Sequence, residues 1–268
     1  MTAPSSAAHV RISESQIRQA AWRHGQGFSL PFIALRQAMT EAWVRTVRRA
    51  AFRQQQNDQA LRGYLMMSAG EFSGVNARQR WANWRIIPRN LHGSCPDRPL
   101  FAIDLCCGTG DSTRVLAWHL PAGSHILGLE YQPAFVEQAR RGSYRDPQGR
   151  EVAVRFQAQS VLETFRDATG QALPDGSVDV VNSCGAIGCH FTAASTGLLA
   201  REVSRVLAPG GIALLDAGKA GTPARDLEGI FVELGFTRLR TVRSCFLDRY
   251  AQLSFARCTE VALLGASA

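Results

Sequence analysis

The chain has 268 residues, 46% of them hydrophobic, which suffices for one substantial core. No segment approaches the roughly 18 to 20 apolar residues that span a bilayer, and residues 1–8 lack the basic and apolar regions of a secretory signal. The seven cysteines have no regular disulfide spacing, so we expect reduced thiols. These features exclude a membrane-spanning or disulfide-stapled protein and predict a soluble, cytoplasmic one.

The positive charge is confined to the first third of the chain. Residues 1–99 contain 14 Arg and 5 acids, a net of +9, whereas residues 100–268 contain 15 Arg and one Lys against 17 acids, a net of −1. The first third is therefore able to attract an anionic substrate, a nucleic acid or a membrane surface.

Apolar residues at spacings of three and four predict a helix that begins near Pro31; they are Phe32, Leu35, Met39, Trp43, Val47 and Ala50. Arginines gather on another side of the same helix, at Arg45, Arg48, Arg49 and Arg53. We interpret this as an amphipathic helix packed on the main domain with a solvated arginine face, the alternative being an anion-binding stripe. A second patch, residues 71–84, is dense in aromatic and amide side chains and suggests a lid or pocket wall.

From residue 100 onward, short apolar runs alternate with helical stretches, which is typical of βαβ units with a parallel sheet. We expect strands near 100–106, 125–131, 151–157, 177–183 and 211–217. We expect helices near 110–120, 133–141, 161–168, 193–208 and 223–235. Two last strands, 237–246 and 250–258, are separated by only three residues and should pair antiparallel.

The prediction is an α/β fold, a doubly wound, seven-stranded and mostly parallel sheet with a terminal antiparallel strand. Residues 1–99 form an N-terminal helical extension or lid, and residues 100–268 form the main domain. We find no internal repeat and no convincing metal-ligand spacing, so no metal is expected.

A glycine turn, Gly108-Thr109-Gly110, follows an apolar strand and precedes a helix, a geometry that lets the backbone approach a ligand at a helix N-terminus. Glu130 ends the next strand, where a carboxylate can accept hydrogen bonds from both ribose hydroxyls of a nucleoside. The turn alone is shared with NAD-binding folds, so these residues leave hydride transfer open.

Later segments add to this pattern: residues 179–184, the helical stretch 198–207, Pro209-Gly210-Gly211 with its following strand, and the terminal hairpin. Together with the glycine turn, their order resembles the class I S-adenosylmethionine-dependent methyltransferase family over residues 100 to about 258. The string Cys-Cys-Gly-Thr-Gly-Asp also looks like the first motif of quinone-biosynthesis methyltransferases, although the long N-terminal helical segment does not.

The resemblance implies a binding site for S-adenosylmethionine. Its first motif, which holds the methionine portion, matches Asp104, Cys106, Gly108, Thr109 and Gly110. Glu130 matches the ribose acid, and Tyr131 should flank the adenine.

Two further motifs complete the implied site. Where the family often has Gly-Asp after the third strand, this chain has Gln159-Ser160; the Ser160 hydroxyl can accept a bond from the adenine amino group, and Val161 can cover the ring. Ser183 and Cys184 match the fourth motif, which faces the transferred methyl.

The implied reaction is an in-line displacement, and a base is needed only for a protonated acceptor. His190 is our candidate general base, with a helix-entry residue bonded to backbone as its alternative. The acceptor pocket is expected in residues 1–99, at Tyr64, Phe72, Trp81, Trp84 and His92, unless these aromatics form that segment's own core.

A small-molecule or lipid-like acceptor is our first hypothesis, because two tryptophans and amides in a helical lid suit an enclosed pocket. An RNA methyltransferase that uses the basic segment is the runner-up. An NAD(P)-dependent oxidoreductase and a non-catalytic nucleoside-binding module are the alternatives from other classes. The sequence gives no oligomeric state.

Overall fold

The computed structural model describes residues 12–47, 67–92, 95–245 and 251–257. Five residues that the sequence analysis names lie outside these ranges: Arg48, Arg49, Ala50, Arg53 and Tyr64.

Four helices make up the described part of the first segment: α1 (Glu14–Arg23), α2 (Leu30–Val47), α3 (Ala69–Val75) and α4 (Ala77–Leu91). Capping boxes begin two of them, because Ser13 and Ser68 each exchange hydrogen bonds with the residue three positions on, Gln16 and Glu71. Local sequence thus fixes where α1 and α3 start. None of the described helices combines the length and apolarity that crossing a bilayer requires.

The remaining elements alternate strand and helix. They are β1 (Phe101–Leu105), α5 (Asp111–His119), β2 (His125–Glu130), α6 (Pro133–Arg140), β3 (Ala153–Ala158), β4 (Val178–Ser183), α7 (Ile187–His190), α8 (Ala193–Val206), β5 (Leu207–Ala217), α9 (Ala224–Glu233), β6 (Phe236–Arg243) and β7 (Ala251–Arg257). One seven-stranded sheet has the order β3-β2-β1-β4-β5-β7-β6, and β7 pairs antiparallel with both neighbours. The predicted doubly wound sheet with one antiparallel strand is confirmed.

The helix predicted at 161–168 is wrong. Residues 159–177 form turns in which Leu173 N–H donates to the Phe165 carbonyl at 2.8 Å, and Gly170 adopts a φ of +86°. Glu202 of α8 also accepts the Phe165 N–H at 2.7 Å. Tertiary bonds and a left-handed glycine therefore override the helical pattern of this stretch.

The side of α2 predicted to pack is also wrong. The structure contains the helix, but Phe32, Leu35, Met39, Trp43 and Val47 are each more than half exposed, whereas Ile33 and Val44 are buried. The buried side packs on α3 and α4, where Thr40 Cγ2 lies 2.5 Å from the position that a Cβ on Gly74 would take. The apolar periodicity thus indicates a helix but not which face meets the core.

The helical segment and the sheet share one core. Sheet side chains alternate between two faces: Ala102, Ile126 and Val180 cluster with residues of α1, α4, α5 and α6, whereas Ile103, Leu127 and Val181 cluster with α8 and α9. Because α4 covers part of the first face, it is a layer of the fold. The boundary near residue 99 stays a prediction.

Aromatic rings join α1, α4 and α5 on this face. The His24 ring stacks on Trp84 with centroids 4.1 Å apart, and its edge meets Trp118 at 4.6 Å. Trp84 also contacts His119 at 6.0 Å. Nε2 of His24 and of His119 are buried without a hydrogen-bond partner in the described structure. Burial lowers the pKa of both imidazoles, that of His119 from 6.5 to about 3.

These imidazoles make stability depend on pH. A histidine whose folded-state pKa lies below 6.5 leaves stability intact above that pH and reduces it as pH falls below it. We expect the unfolding free energy of the wild type to fall by about 1 to 2 kcal/mol more than that of His119→Phe between about pH 7.5 and about pH 5.5. Urea unfolding at the two pH values measures this, and equal losses in both proteins would contradict the assignment.

Candidate functional site

The residues predicted to bind the cofactor meet at one edge of the sheet, the carboxyl ends of β3, β2, β1 and β4. Leu105 pairs with Leu129 on one side and with Ser183 on the other, and Glu130 pairs with Ala158. The strand order reverses between β1 and β4, and ligands of such sheets bind in the crevice at that switch point. The register thus brings Gly108, Glu130, Ser160 and Ser183 to one edge.

The turn after β1 depends on left-handed backbone. Gly108 and Gly110 have φ values of +55° and +84°, and Cys106 has +51°, a region that a residue with a Cβ enters at a cost of about 1 kcal/mol. A bond of 2.9 Å from Gly110 N–H to the Cys107 carbonyl closes the turn, and α5 begins at the next residue. The hydroxyl of Thr109 donates to Asp111 at 3.4 Å. The turn therefore presents backbone at a helix N-terminus, as predicted.

Asp104 is fully buried under this turn. One carboxylate oxygen accepts from Ser112 Oγ at 2.7 Å and Thr113 Oγ1 at 2.6 Å, and the other accepts from Asn182 Nδ2 at 2.7 Å. Burial raises the pKa of Asp104 to about 6, and the three hydrogen bonds oppose that rise. Asp104 thus fixes the first turn of α5 and β4 relative to β1.

Buried amides continue from Asp104 to the helical segment; we call Asn182, Gln252 and Asn90 the amide relay. Gln252 Nε2 donates to Asn182 Oδ1 at 2.9 Å and to the Ser183 carbonyl at 3.0 Å, while Asn90 Nδ2 donates to Gln252 Oε1 at 2.9 Å. All three residues are fully buried. The relay links α4, β7 and β4 to the acid beneath the glycine turn.

Glu130 holds the turn from the neighbouring strand. One carboxylate oxygen accepts the Gly108 N–H and the other accepts the Gln132 N–H, both at 2.9 Å. Burial raises the pKa of Glu130, and backbone hydrogen bonds oppose the rise. Each oxygen has a second lone pair for a ribose hydroxyl, so the geometry fits the ribose role. Tyr131 beside it is 53% exposed.

The residues after β3 and β4 have mixed surroundings. Ser160 Oγ accepts the Leu162 N–H at 3.2 Å, and Val161 is buried in the core. Ser183 Oγ donates to Asp216 at 2.8 Å, and Cys184 Sγ lies 3.1 Å from Gln252 Nε2. Burial raises the pKa of the Cys184 thiol, which therefore stays protonated.

Asp216, at the end of β5, is a site residue that sequence reasoning missed. Besides Ser183, it accepts the Gly188 N–H at 2.9 Å and so fixes the loop that follows β4. The feature of the sequence that could have identified it is an acid near the end of an apolar strand.

His190 ends the short helix α7, and its N–H donates to the Ala186 carbonyl at 2.8 Å. Burial lowers the pKa of its imidazole, so the ring is neutral at pH 7 and able to accept a proton. Its role as a base stays a prediction. Among the described residues, no three His, Cys, Asp or Glu side chains lie together so that they could hold a metal ion.

The first segment touches the turn through Phe72 and Arg80. A Cβ on Gly108 would lie 2.6 Å from Cε1 of Phe72, so the ring lies directly over the turn; it also packs on Phe135 at 4.3 Å. Arg80 Nε pairs with Asp111 at 3.1 Å, at the start of α5. Sequence reasoning named Phe72 but missed Arg80.

The two tryptophans predicted to line the acceptor pocket lie in the core instead. Trp81 is 5% exposed, its Nε1 donates to the Phe28 carbonyl at 2.8 Å, and the Arg85 guanidinium covers its ring at 3.7 Å. Trp84 is 4% exposed within the His24 cluster. His92 Nδ1 bonds the Ile12 backbone. The prediction that Trp81 and Trp84 line an acceptor pocket is therefore wrong, because both side chains are buried between helices.

Two cavities lie away from the turn: one of 530 Å³ beside β3, and one of 340 Å³ between α5 and the loop 143–149. Arg140, Tyr144 and Phe156 line the larger one, and His24 and Trp118 line the smaller one. Neither is lined by residues of the glycine turn, which Phe72 covers.

Comparison with known proteins agrees with this geometry. A family model described as a methyltransferase domain matches residues 102–211. This segment, about two fifths of the chain, is thus similar to a methyltransferase domain. The match supports the resemblance to methyltransferases seen in the sequence.

The chain is also similar to an individual curated protein. A 2-phytyl-1,4-naphtoquinone methyltransferase of Thermosynechococcus vestitus is 35% identical over 129 residues, which are 46% of this chain and 48% of the relative. The chain thus matches about half the length of that relative.

Two solved structures have the same fold. A chain of the complex between the Haloferax volcanii Trm112 methyltransferase activator and a putative methyltransferase has a TM-score of 0.53 at 16% identity, covering 72% of this chain and 99% of that chain. The trans-methyltransferase CalH in complex with SAH also has 0.53, at 17% identity, covering 73% of this chain and 63% of that chain.

The amide relay generates a prediction for stability. Asn90→Leu and Gln252→Leu should each lower the unfolding free energy by about 1 to 3 kcal/mol, because each leaves a buried amide group unpaired. The double variant should lose about 0.5 to 2 kcal/mol less than the sum of the single losses. Urea unfolding measures the cycle; Asn90→Leu combined with Gln138→Leu, an exposed site on α6, is the additive control. Additive losses in the relay pair would contradict the linkage.

Proposed function

We propose that the protein binds S-adenosylmethionine at the glycine turn and transfers its methyl group to a small-molecule or lipid-like acceptor. The observation that carries the proposal is the joint position of Gly108, Glu130 and Ser183 at the carboxyl edge of β1, β2 and β4, within the segment that matches the methyltransferase domain. A cytoplasmic location belongs to the same proposal.

The residues present fit the cofactor. The left-handed backbone of Gly108 and Gly110 forms the turn at the start of α5, and Glu130 offers its free lone pairs to the ribose hydroxyls. Tyr131 and Ser160 would flank the adenine. When bound, the cofactor would supply an electrophilic methyl group to the attacking acceptor and would leave as S-adenosylhomocysteine.

The chain contributes chiefly by positioning the reactants and excluding water. Asp104 and the amide relay hold the turn beneath the cofactor, and Asp216 holds the loop after β4. Phe72 covers Gly108 and would exclude water from the methionine end. His190, neutral at pH 7, would accept the proton of an acceptor that has one to lose.

A small or lipid-like acceptor is supported by the relative whose name gives a phytyl-naphthoquinone substrate and by the aromatic side chain over the turn. An RNA acceptor is less well supported, because three arginines of the basic segment pair within the fold. Arg80 pairs with Asp111, Arg89 with Glu14 and Arg98 with Asp179.

The cofactor assignment predicts the result of calorimetric titration. S-adenosylmethionine and S-adenosylhomocysteine should bind, and NADH should not. Glu130→Ala should weaken binding by about 1 to 3 kcal/mol, or roughly fivefold to 150-fold, through lost hydrogen bonds to ribose. Glu137→Ala, which removes an exposed acid of α6, is the control matched in charge and should bind as the wild type does. Binding of NADH alone would overturn the proposal.

The acceptor class predicts where a radioactive methyl group goes. With labelled S-adenosylmethionine and either a lipid extract or total RNA, label should enter the organic phase and not the RNA. Loss of methyl transfer in Glu130→Ala, with Glu137→Ala unaffected, shows that the label depends on the site. Label in RNA, with binding that weakens as salt rises, would instead favour the RNA acceptor.

A further inference from the structure

An apolar patch lies on the outside of the helical segment, away from the sheet. Seven of the twelve large hydrophobic side chains that are exposed in the described part of the chain lie between residues 22 and 47. They are Trp22, Phe28, Phe32, Leu35, Met39, Trp43 and Val47, and each is more than half exposed. We call these seven side chains the α2 patch. A cluster of several large, exposed apolar side chains on a protein marks an interaction surface.

The α2 patch is continuous. A Cβ on Gly27 would lie 2.1 Å from Cε3 of Trp22, so the indole lies against that glycine. Phe28 follows, and its ring centroid is 5.1 Å from that of Phe32. From Phe32 the patch runs along one side of α2, whose 18 residues span about 27 Å.

Exposed positive charge accompanies the patch. Arg18, Arg23 and Arg36 are exposed, and none forms an ion pair with a described residue. The acids of α1 and α2 are already engaged, Glu14 by Arg89 at 2.8 Å and Glu41 by Arg45 at 3.4 Å. Arg18, Arg23 and Arg36 therefore give the described part of α1 and α2 an exposed positive charge.

We propose that the α2 patch docks the protein on an anionic membrane surface. Tryptophan and phenylalanine on one side of a helix, with arginines beside them, suit the boundary between acyl chains and headgroups. Each arginine near an anionic leaflet adds to the attraction. A second copy of the chain would bring these arginines against one another, so charge complementarity selects the anionic surface over self-association.

The docked helix lies one helix away from the candidate site. α2 packs closely on α3 through Thr40 and Gly74, and α3 places Phe72 over Gly108. A lipid-like acceptor leaving the bilayer beside α2 would thus reach the turn past α3. This route rests on the proposed function, whereas docking itself does not.

Sedimentation with phosphatidylcholine vesicles, with and without phosphatidylglycerol, tests the docking. The full chain should bind the anionic vesicles, and its tryptophan emission should shift to shorter wavelength as Trp22 and Trp43 enter the interface. Binding should fall about tenfold or more in the triple variant Leu35→Gln, Met39→Gln, Trp43→Gln, and likewise in Arg18→Gln, Arg23→Gln, Arg36→Gln.

The matched control is the triple variant Leu162→Gln, Leu198→Gln, Val232→Gln, which replaces three exposed apolar residues elsewhere and should bind as the wild type does. No binding to anionic vesicles, or equal losses in the patch and control variants, would overturn the proposal. It is also overturned if ultracentrifugation shows a dimer that only the patch variant dissociates while vesicles bind nothing.

Calorimetry with S-adenosylhomocysteine separates the two proposals. The patch variant should retain the wild-type affinity, because none of its positions contacts the turn. If the wild type binds S-adenosylhomocysteine but no vesicles, only the docking fails. If it binds vesicles through the patch but not S-adenosylhomocysteine, the proposed function fails and the docking stands.

Discussion

The buried carboxylate of Asp104 is the constraint on which the rest of the site depends. An acid taken out of water needs hydrogen-bond donors, and here Ser112, Thr113 and Asn182 supply them from α5 and β4. Two donors lie in the first turn of α5 and the third lies in β4, so satisfying the acid sets the start of α5 above β1 and the position of β4 beside it. The glycine turn takes its shape between those fixed ends.

The turn is then fastened from two further directions. Glu130 binds the Gly108 N–H from β2, and Phe72 covers the same glycine from α3. One residue thus meets β2 on one side and the accessory helices on the other. A ligand bound at the turn would therefore contact both parts of the protein.

Sequence reasoning predicted the strands, their direction and the edge at which Asp104, Gly108 and Glu130 gather, because a parallel sheet and its glycine turn are encoded locally. It failed where tertiary contacts decide. The stretch 161–168 is helical in pattern but is held in turns by Glu202. The periodicity of α2 gives a helix, but the buried face follows Ile33 and Val44, whose neighbours lie far along the chain. Trp81 and Trp84 are aromatic residues of the kind that line binding pockets, but their contacts bury both of them in the core.

The amide relay limits how this architecture can be divided. Gln252 is the second residue of β7 and accepts a hydrogen bond from Asn90 of the helical segment, so a helical segment without an amide at that position would leave a buried acceptor unpaired. The helical segment is therefore not an interchangeable cassette. Recombining it with the sheet of a relative would require a matching residue near the start of β7, so positions 90 and 252 would have to be exchanged together.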